Sequence, residues 1–195
     1  MVPTILVPGT WGVSQAWWRC GSPFWKAAIK AGVSLQNGLY AYNWTTEVDG
    51  ILGKNRDWET AGDALRWYSL AKGHTTVNVI AHSHGGQVAL HGAAEGLRID
   101  TLITVATPVR RDMELIAKKA RQHITLWVHL QSDTSDYMQW LGELMDGRIG
   151  IYREMPLADR NILEPGVGHS GLLEPALWSK RGWWKWLTDT GREKR

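Results

Sequence analysis

The sequence is poor in cysteine and phenylalanine and has no long apolar run. Cys20 is the sole cysteine among 195 residues, which excludes an internal disulfide and a cysteine-rich metal site. No stretch has the length and hydrophobicity of a transmembrane segment, and the first twenty residues lack the pattern of a secretory signal. We therefore expect a soluble protein made in the cytoplasm.

Excess charge of either sign is also missing, since 22 Lys and Arg balance 19 Asp and Glu to a net charge of +3. Dispersed positive charge of this size disfavours a nucleic-acid partner. Residues 178–187 interleave Lys and Arg with Trp, ahead of a basic tail at about 188–195. We expect a terminal helix on the core and a solvated tail; contact with an anionic membrane or envelope polymer is the alternative.

Tryptophan is abundant, with thirteen Trp residues against one Phe. About half of them are expected to pack in the core as phenylalanine would, Trp67 within a helix and Trp127 within a strand. Trp11 and Trp17 follow the first apolar run and are candidates to line an aromatic substrate pocket.

Length and composition predict a single domain, residues 1–195, because 44% of the residues are hydrophobic and no break in composition divides them. Apolar runs predict six strands near residues 3–8, 36–42, 76–81, 100–106, 123–130 and 160–164. Helical patterns between most of them predict a mainly parallel sheet covered on both faces, an α/β fold. Residues 108–121 leave room for one short helix, so we expect little or no cap domain.

The most informative stretch is residues 75–86, Thr-Thr-Val-Asn-Val-Ile-Ala-His-Ser-His-Gly-Gly. An apolar strand ends in a turn with Ser83 at its centre, and a helical pattern follows at once. Ala81 and Gly85, two positions either side, are small, as a strained nucleophile elbow requires. Ser83 is therefore the candidate nucleophile, and a helix-capping serine is the alternative interpretation.

A serine hydroxyl needs a histidine base and a carboxylate that orients the base. His169 follows a short apolar element and two loop glycines, and is the candidate base. His82 and His84 flank Ser83, but adjacent side chains on a tight turn point away from it. Asp133 and Asp136 are both candidates for the acid, in the loop after the strand at 123–130. Whichever of the two is not the acid is expected to cap a turn.

The oxyanion of a tetrahedral intermediate needs two N–H donors. The residue after the nucleophile, His84, supplies one through its main chain. The Gly-rich loop after the first strand, Pro-Gly-Thr-Trp-Gly, supplies the other, for which Thr10 is the candidate. A plain strand-ending turn is the alternative interpretation of this loop.

Together, Val-Pro-Gly-Thr-Trp-Gly, Ala-His-Ser-His-Gly-Gly, Ser-Asp-Tyr-Met-Gln and Gly-His-Ser resemble the α/β-hydrolase superfamily, closest to small lipase-like and esterase-like serine hydrolases, over essentially the whole chain. The resemblance implies a minimal α/β-hydrolase fold and favours Asp136 as the acid, with Asp133 the alternative. Pro8 stands where lipases usually carry histidine, Ala81 replaces the first elbow glycine, and the acid loop is longer than usual.

The resemblance implies hydrolysis of a small-molecule or lipid ester through an acyl-enzyme, by a monomer with no cofactor and no metal. Thioesterases, amidases and acyltransferases use the same residues. A phage lysis esterase that acts on cell-envelope lipid esters and is freed by lysis is a more specific alternative. A non-catalytic binding module on the same fold is the alternative from another class.

Overall fold

The computed structural model describes residues 1–9, 16–35, 56–109, 113–132 and 154–188. Its strands are Thr4–Val7 (β1), Thr76–His82 (β2), Arg98–Val105 (β3), Ile124–Ser132 (β4) and Arg160–Glu164 (β5). Its α-helices are Pro23–Lys30 (α1), Arg56–Ala71 (α2), Gly85–Ala94 (α3), Glu114–Arg121 (α4) and Pro175–Arg181 (α5). Two short 3₁₀ helices, Gly171–Leu173 and Trp183–Leu187, flank α5.

The five strands form one parallel sheet in the order β1-β2-β3-β4-β5. Five of the six predicted strands are confirmed, and the remaining one, predicted at 36–42, lies outside the described residues. Because all five strands are parallel, their carboxyl ends lie at the same edge of the sheet. That edge collects the segments after β1, β2, β4 and β5, which are those expected to carry the site.

Helices cover both faces of this sheet, as predicted. Helices α2, α3 and α4 cover one face, where Leu65, Val88 and Trp127 are buried together. Helices α1 and α5 cover the other, around Leu6 and Ile80. Strands buried on both faces are continuously apolar rather than alternating, which explains the sequence pattern of β2.

The second face is an aromatic core built largely from the C-terminal segment. Trp178 is fully buried, and its ring lies 5.1 Å from that of Phe24 and 4.6 Å from that of Trp184. Trp183 and Trp186 are buried as well. The predicted packing of this segment on the core is confirmed, and its tryptophans face inward while Lys180 and Lys185 remain exposed.

Trp127 is fully buried in β4 as predicted, but the prediction for Trp67 is wrong because 58% of its surface is exposed. Trp67 lies off the stripe of α2 formed by Trp58, Ala61 and Leu65, which faces the core. The Arg66 guanidinium covers its ring at 4.8 Å from the centroid, a cation–π contact that exposed tryptophans readily make.

The connection from β3 to β4 contains a single short helix, α4, among its described residues, consistent with the predicted lack of a large cap. No helix in the ranges that the structure describes has both the length and the hydrophobicity to cross a membrane.

Candidate active site

Ser83 lies between the end of β2 and the start of α3 with φ of +54°. A non-glycine residue in this left-handed region costs roughly 1–3 kcal/mol, so such strain is usually held in place at functional sites. The Ser83 N–H donates to the Val105 carbonyl at 2.8 Å, and the Ser83 carbonyl accepts from Gly86 N–H at 3.0 Å. The surrounding backbone therefore imposes the strained turn, and Ser83 itself is half-buried.

The structure explains why small residues follow Ser83. A Cβ on Gly85 would lie 2.5 Å from the Pro8 carbonyl oxygen and 2.6 Å from that of Val7. Since real Cβ atoms do not approach backbone oxygens this closely, only glycine allows β1 to pass beside the turn. The sequence pattern of the turn thus reflects the packing of β1 against the start of α3.

Ala106, at the end of the neighbouring β3, also has a positive φ of +48°. Its N–H donates to the Leu130 carbonyl at 2.8 Å, directly beside the bond from Ser83 to Val105. Within the described residues these are the two non-glycine residues with positive φ. Backbone strain is therefore concentrated at this sheet edge, and nothing in the sequence around Ala106 indicated it.

The proposed oxyanion donors are partly described. His84 is the N-cap residue of α3, so its N–H lies outside the hydrogen-bond ladder of the helix. Gly9 approaches Ser83 so closely that a Cβ at position 9 would lie 3.2 Å from Ser83 Oγ. The loop after β1 therefore begins beside the serine, whereas Thr10 and Trp11 lie outside the described residues.

The His84 side chain stacks on Trp58 of α2, with ring centroids 4.8 Å apart and an interplanar angle of 28°. Trp58 is 4% exposed and forms part of the core beneath α3. The stack fixes the side chain of the residue that follows Ser83. No sequence pattern indicated that α2 would supply this contact.

His169 lies between β5 and the Gly171–Leu173 helix, and it is half-buried. Its ring packs against that of His82, with centroids 4.6 Å apart. The His169 carbonyl accepts a hydrogen bond from His82 Nε2 at 3.3 Å. The structure thus brings His169 to the residue that immediately precedes Ser83, while both candidate acids, Asp133 and Asp136, lie outside the described residues.

Trp17, predicted to line a substrate pocket, packs beside this group. Its ring is edge-on to that of His82 at 6.1 Å and to that of Phe24 at 5.2 Å. The Trp17 carbonyl accepts a hydrogen bond from Ser22 Oγ at 2.6 Å. The same Ser22 Oγ caps α1 by accepting from Trp25 N–H. Trp17 is half-buried next to the candidate site.

Metal-binding clusters of three or more His, Cys, Asp or Glu side chains do not occur among residues 1–9, 16–35, 56–109, 113–132 and 154–188. Another fully buried histidine, His129 of β4, lies on the opposite face from His82, and its Nδ1 contacts Thr104 Oγ1 at 2.9 Å. Burial lowers the pKa of His129 to about 4, so its ring is neutral at pH 7.

No protein-family model matches the chain, and no curated protein sequence matches it. Its fold is similar to that of a CIB-like hydrolase from Thermoplasma acidophilum, with TM-score 0.60 and 15% identity over 93% of this chain and 84% of that one. It is also similar to Bacillus licheniformis lipase BlEst2 in its mature form, with TM-score 0.54 and 14% identity over 96% and 92%.

A third similar structure is P91, a dienelactone hydrolase-like promiscuous phosphotriesterase from metagenomic libraries. The TM-score is 0.55 and the identity 13%, over 96% of this chain and 87% of that one. At these identities the likeness establishes the fold. The chain has an α/β-hydrolase fold, as its sequence motifs predicted.

Proposed function

We propose that the protein is a serine hydrolase that cleaves carboxylic esters. The observation that carries the proposal is the strained turn at Ser83, with φ of +54° between a parallel strand and a helix, and with His169 packed against the preceding residue. A serine displayed on such a turn at the carboxyl edge of the sheet, with a histidine packed against the residue before it, supports the assignment of a nucleophile and a base for acyl transfer.

In the proposed reaction, Ser83 Oγ attacks the ester carbonyl while His169 accepts the hydroxyl proton. The main-chain N–H groups of Thr10 and His84 stabilise the oxyanion. When the intermediate collapses, the carbon–oxygen bond to the alcohol breaks and His169 returns the proton to the leaving alcohol. Asp136, or alternatively Asp133, holds the imidazole in the orientation that both transfers need.

Water completes the cycle. His169 removes a proton from a water molecule, which attacks the acyl-enzyme carbonyl, and the bond to Ser83 Oγ breaks as the oxygen regains its proton. The products are a carboxylic acid and the free enzyme. Each step is an addition, an elimination or a proton transfer that these side chains perform themselves.

The expected substrates are small-molecule or lipid esters. Among the described residues, the connection from β3 to β4 contains one short helix and no large cap, which suits bulky esters. Trp17, half-buried beside His82, and Trp11 are the residues proposed to contact the acyl or alcohol group. The similar folds of a hydrolase from T. acidophilum and a lipase from B. licheniformis support this class of reaction.

The test is hydrolysis of p-nitrophenyl esters from acetate to palmitate, together with labelling by a fluorophosphonate. Ser83→Ala and His169→Ala should each reduce kcat by at least about a thousandfold, and Ser83→Ala should abolish labelling. The more damaging of Asp136→Asn and Asp133→Asn identifies the acid. The control is His74→Ala, which alters a histidine just before β2, at the opposite edge of the sheet.

A folded wild-type protein that neither hydrolyses any of these esters nor reacts with the fluorophosphonate would overturn the proposal. A binding module on the same fold would then be the better interpretation. Retained hydrolysis in Ser83→Ala would instead show that another residue is the nucleophile.

A further inference from the structure

His82 is a polar residue in an apolar position. It is the last residue of β2, fully buried, and on the same face of the sheet as Ile80. Its ring contacts two others, that of Trp17 at 6.1 Å and that of His169 at 4.6 Å between centroids. An aliphatic or phenyl side chain would pack here without losing hydration, so the imidazole requires a reason beyond packing.

The hydrogen bond from His82 supplies that reason. A carbonyl oxygen only accepts, so the contact of 3.3 Å between His82 Nε2 and the His169 carbonyl requires the proton to be on Nε2. The bond joins residues 87 positions apart in the chain. It connects the strand that presents Ser83 directly to the backbone of the candidate base.

The loop that carries His169 is attached to the fold at both ends. At its start, the Arg181 guanidinium donates two hydrogen bonds to the buried Glu164 carboxylate, at 3.0 and 2.6 Å. At its end, Trp178 Nε1 donates to the Leu172 carbonyl at 2.7 Å. His169 lies between these two attachments.

The middle of the loop that carries His169 contains two glycines. Gly166 has φ of +72°, and Gly168 follows two residues later, so glycines on the amino-terminal side of His169 permit several backbone conformations. Within the segment, Gly171 N–H donates to the Gly168 carbonyl at 2.9 Å and Leu173 N–H donates to the Ser170 carbonyl at 3.1 Å. The bond from His82 restrains this loop from outside, at the main chain of His169 itself.

We propose that His82 is a positioning residue, which holds the main chain of His169 in register with Ser83. The inference rests on the proposed function for its catalytic meaning. A general base has to lie within hydrogen-bond reach of the proton that it removes, and a displacement of about 1 Å costs on the order of a hundredfold in rate. His82 limits that displacement because its hydrogen bond joins the loop that carries His169 to the end of β2, the strand that leads into Ser83.

Three substitutions separate the hydrogen bond from the packing. His82→Phe keeps a buried ring and removes the donor. His82→Gln places an amide N–H as many bonds from Cβ as His Nε2, whereas the Asn side chain is one bond shorter. We expect kcat for p-nitrophenyl esters to fall roughly tenfold to a hundredfold in His82→Phe and His82→Asn, with KM changed less than about twofold. His82→Gln should stay within about threefold of wild type.

Hydrogen–deuterium exchange of the peptide covering residues 165–173 supplies a readout that does not depend on activity. Exchange should accelerate in His82→Phe and return towards the wild-type rate in His82→Gln, because the tether is lost in one and kept in the other. The matched control is His129→Phe, which replaces another fully buried histidine on the opposite face and should leave both kcat and the exchange of this peptide unchanged.

Wild-type turnover and exchange in His82→Phe would overturn the inference, and so would a His82→Gln variant as defective as His82→Phe, since packing alone would then explain the residue. A wild-type protein without esterase activity would overturn the proposed function instead. The exchange experiment would still decide whether His82 holds the loop.

Discussion

Gly9 and Ser83 approach each other so closely that a Cβ on Gly9 would lie 2.6 Å from the Ser83 Cβ. The same atom would lie 2.9 Å from the His82 carbonyl oxygen. Neither neighbour can yield easily, because one belongs to the backbone at the end of β2 and the other to the strained turn. The glycine is therefore required by contact with the candidate nucleophile.

Gly9→Ala should reduce kcat by about a hundredfold, because the added methyl displaces Ser83 or the loop that leads to Thr10. The comparison is Gly62→Ala, whose Cβ would lie 2.4 Å from the His91 Cβ where α2 crosses α3. That variant should lower the thermal midpoint by several degrees while the folded enzyme keeps its kcat. Wild-type kcat in Gly9→Ala would contradict the geometry proposed for this loop.

Much of this arrangement was predictable because its determinants are local. The apolar run of β2, the small residues around Ser83 and the glycines before His169 each occupy a few adjacent positions, so each is visible in a short stretch of sequence. The partner of His82 was not predictable. Its environment exists only after a loop 87 residues further along the chain packs on β2, and a short pattern contains no information about that contact.

The tryptophans show the same limit. Trp178, Trp183 and Trp186 are buried because the apolar residues of the C-terminal segment pack on the sheet face that contains Leu6 and Ile80. Residue type alone predicts that Trp67 lies in the core, whereas its position two residues after Leu65 places it off the buried stripe of α2. Helical position decides burial where residue type does not.

Trp58 and Trp67 offer a test of this distinction within one helix. Trp58→Ala should destabilise the protein by about 3–5 kcal/mol, since it empties a buried site and removes the stack on His84. Trp67→Ala should change stability by less than about 0.5 kcal/mol, because 58% of that side chain is exposed. Urea denaturation measures both.

Kinetics of the same two variants and of Trp58→Phe report on the site. Because His84 carries a proposed oxyanion donor, Trp58→Phe, which keeps an aromatic surface under His84, should retain more kcat than Trp58→Ala when each is assayed well below its unfolding transition. Equal kcat in Trp58→Ala and wild type would show that the stack stabilises the fold without affecting the reaction. Trp67→Ala should leave kcat unchanged.

On the face away from His82, a hydrogen-bonded group links two strands. Trp127 Nε1 donates to Thr104 Oγ1 at 3.0 Å, and Thr104 Oγ1 contacts His129 Nδ1 at 2.9 Å. In the part of the chain that the structure describes, His129 Nε2 has no hydrogen-bond partner. A proton added to this fully buried ring would therefore be poorly solvated.

This burial makes stability depend on pH. The pKa of His129 is about 4 in the folded protein, below the ordinary value of 6.5. Between these two pH values the unfolded chain binds a proton that the folded chain does not, so the free energy of unfolding falls as pH decreases from 6.5 towards 4, by about 3 kcal/mol in all. Above pH 6.5 this histidine contributes no pH dependence.

Urea denaturation at about pH 8, 6 and 5 should show a weaker decline of the free energy of unfolding with falling pH in His129→Phe than in wild type, because all other titrating groups are shared. Equal declines would show that the unfolded and folded chains protonate His129 alike.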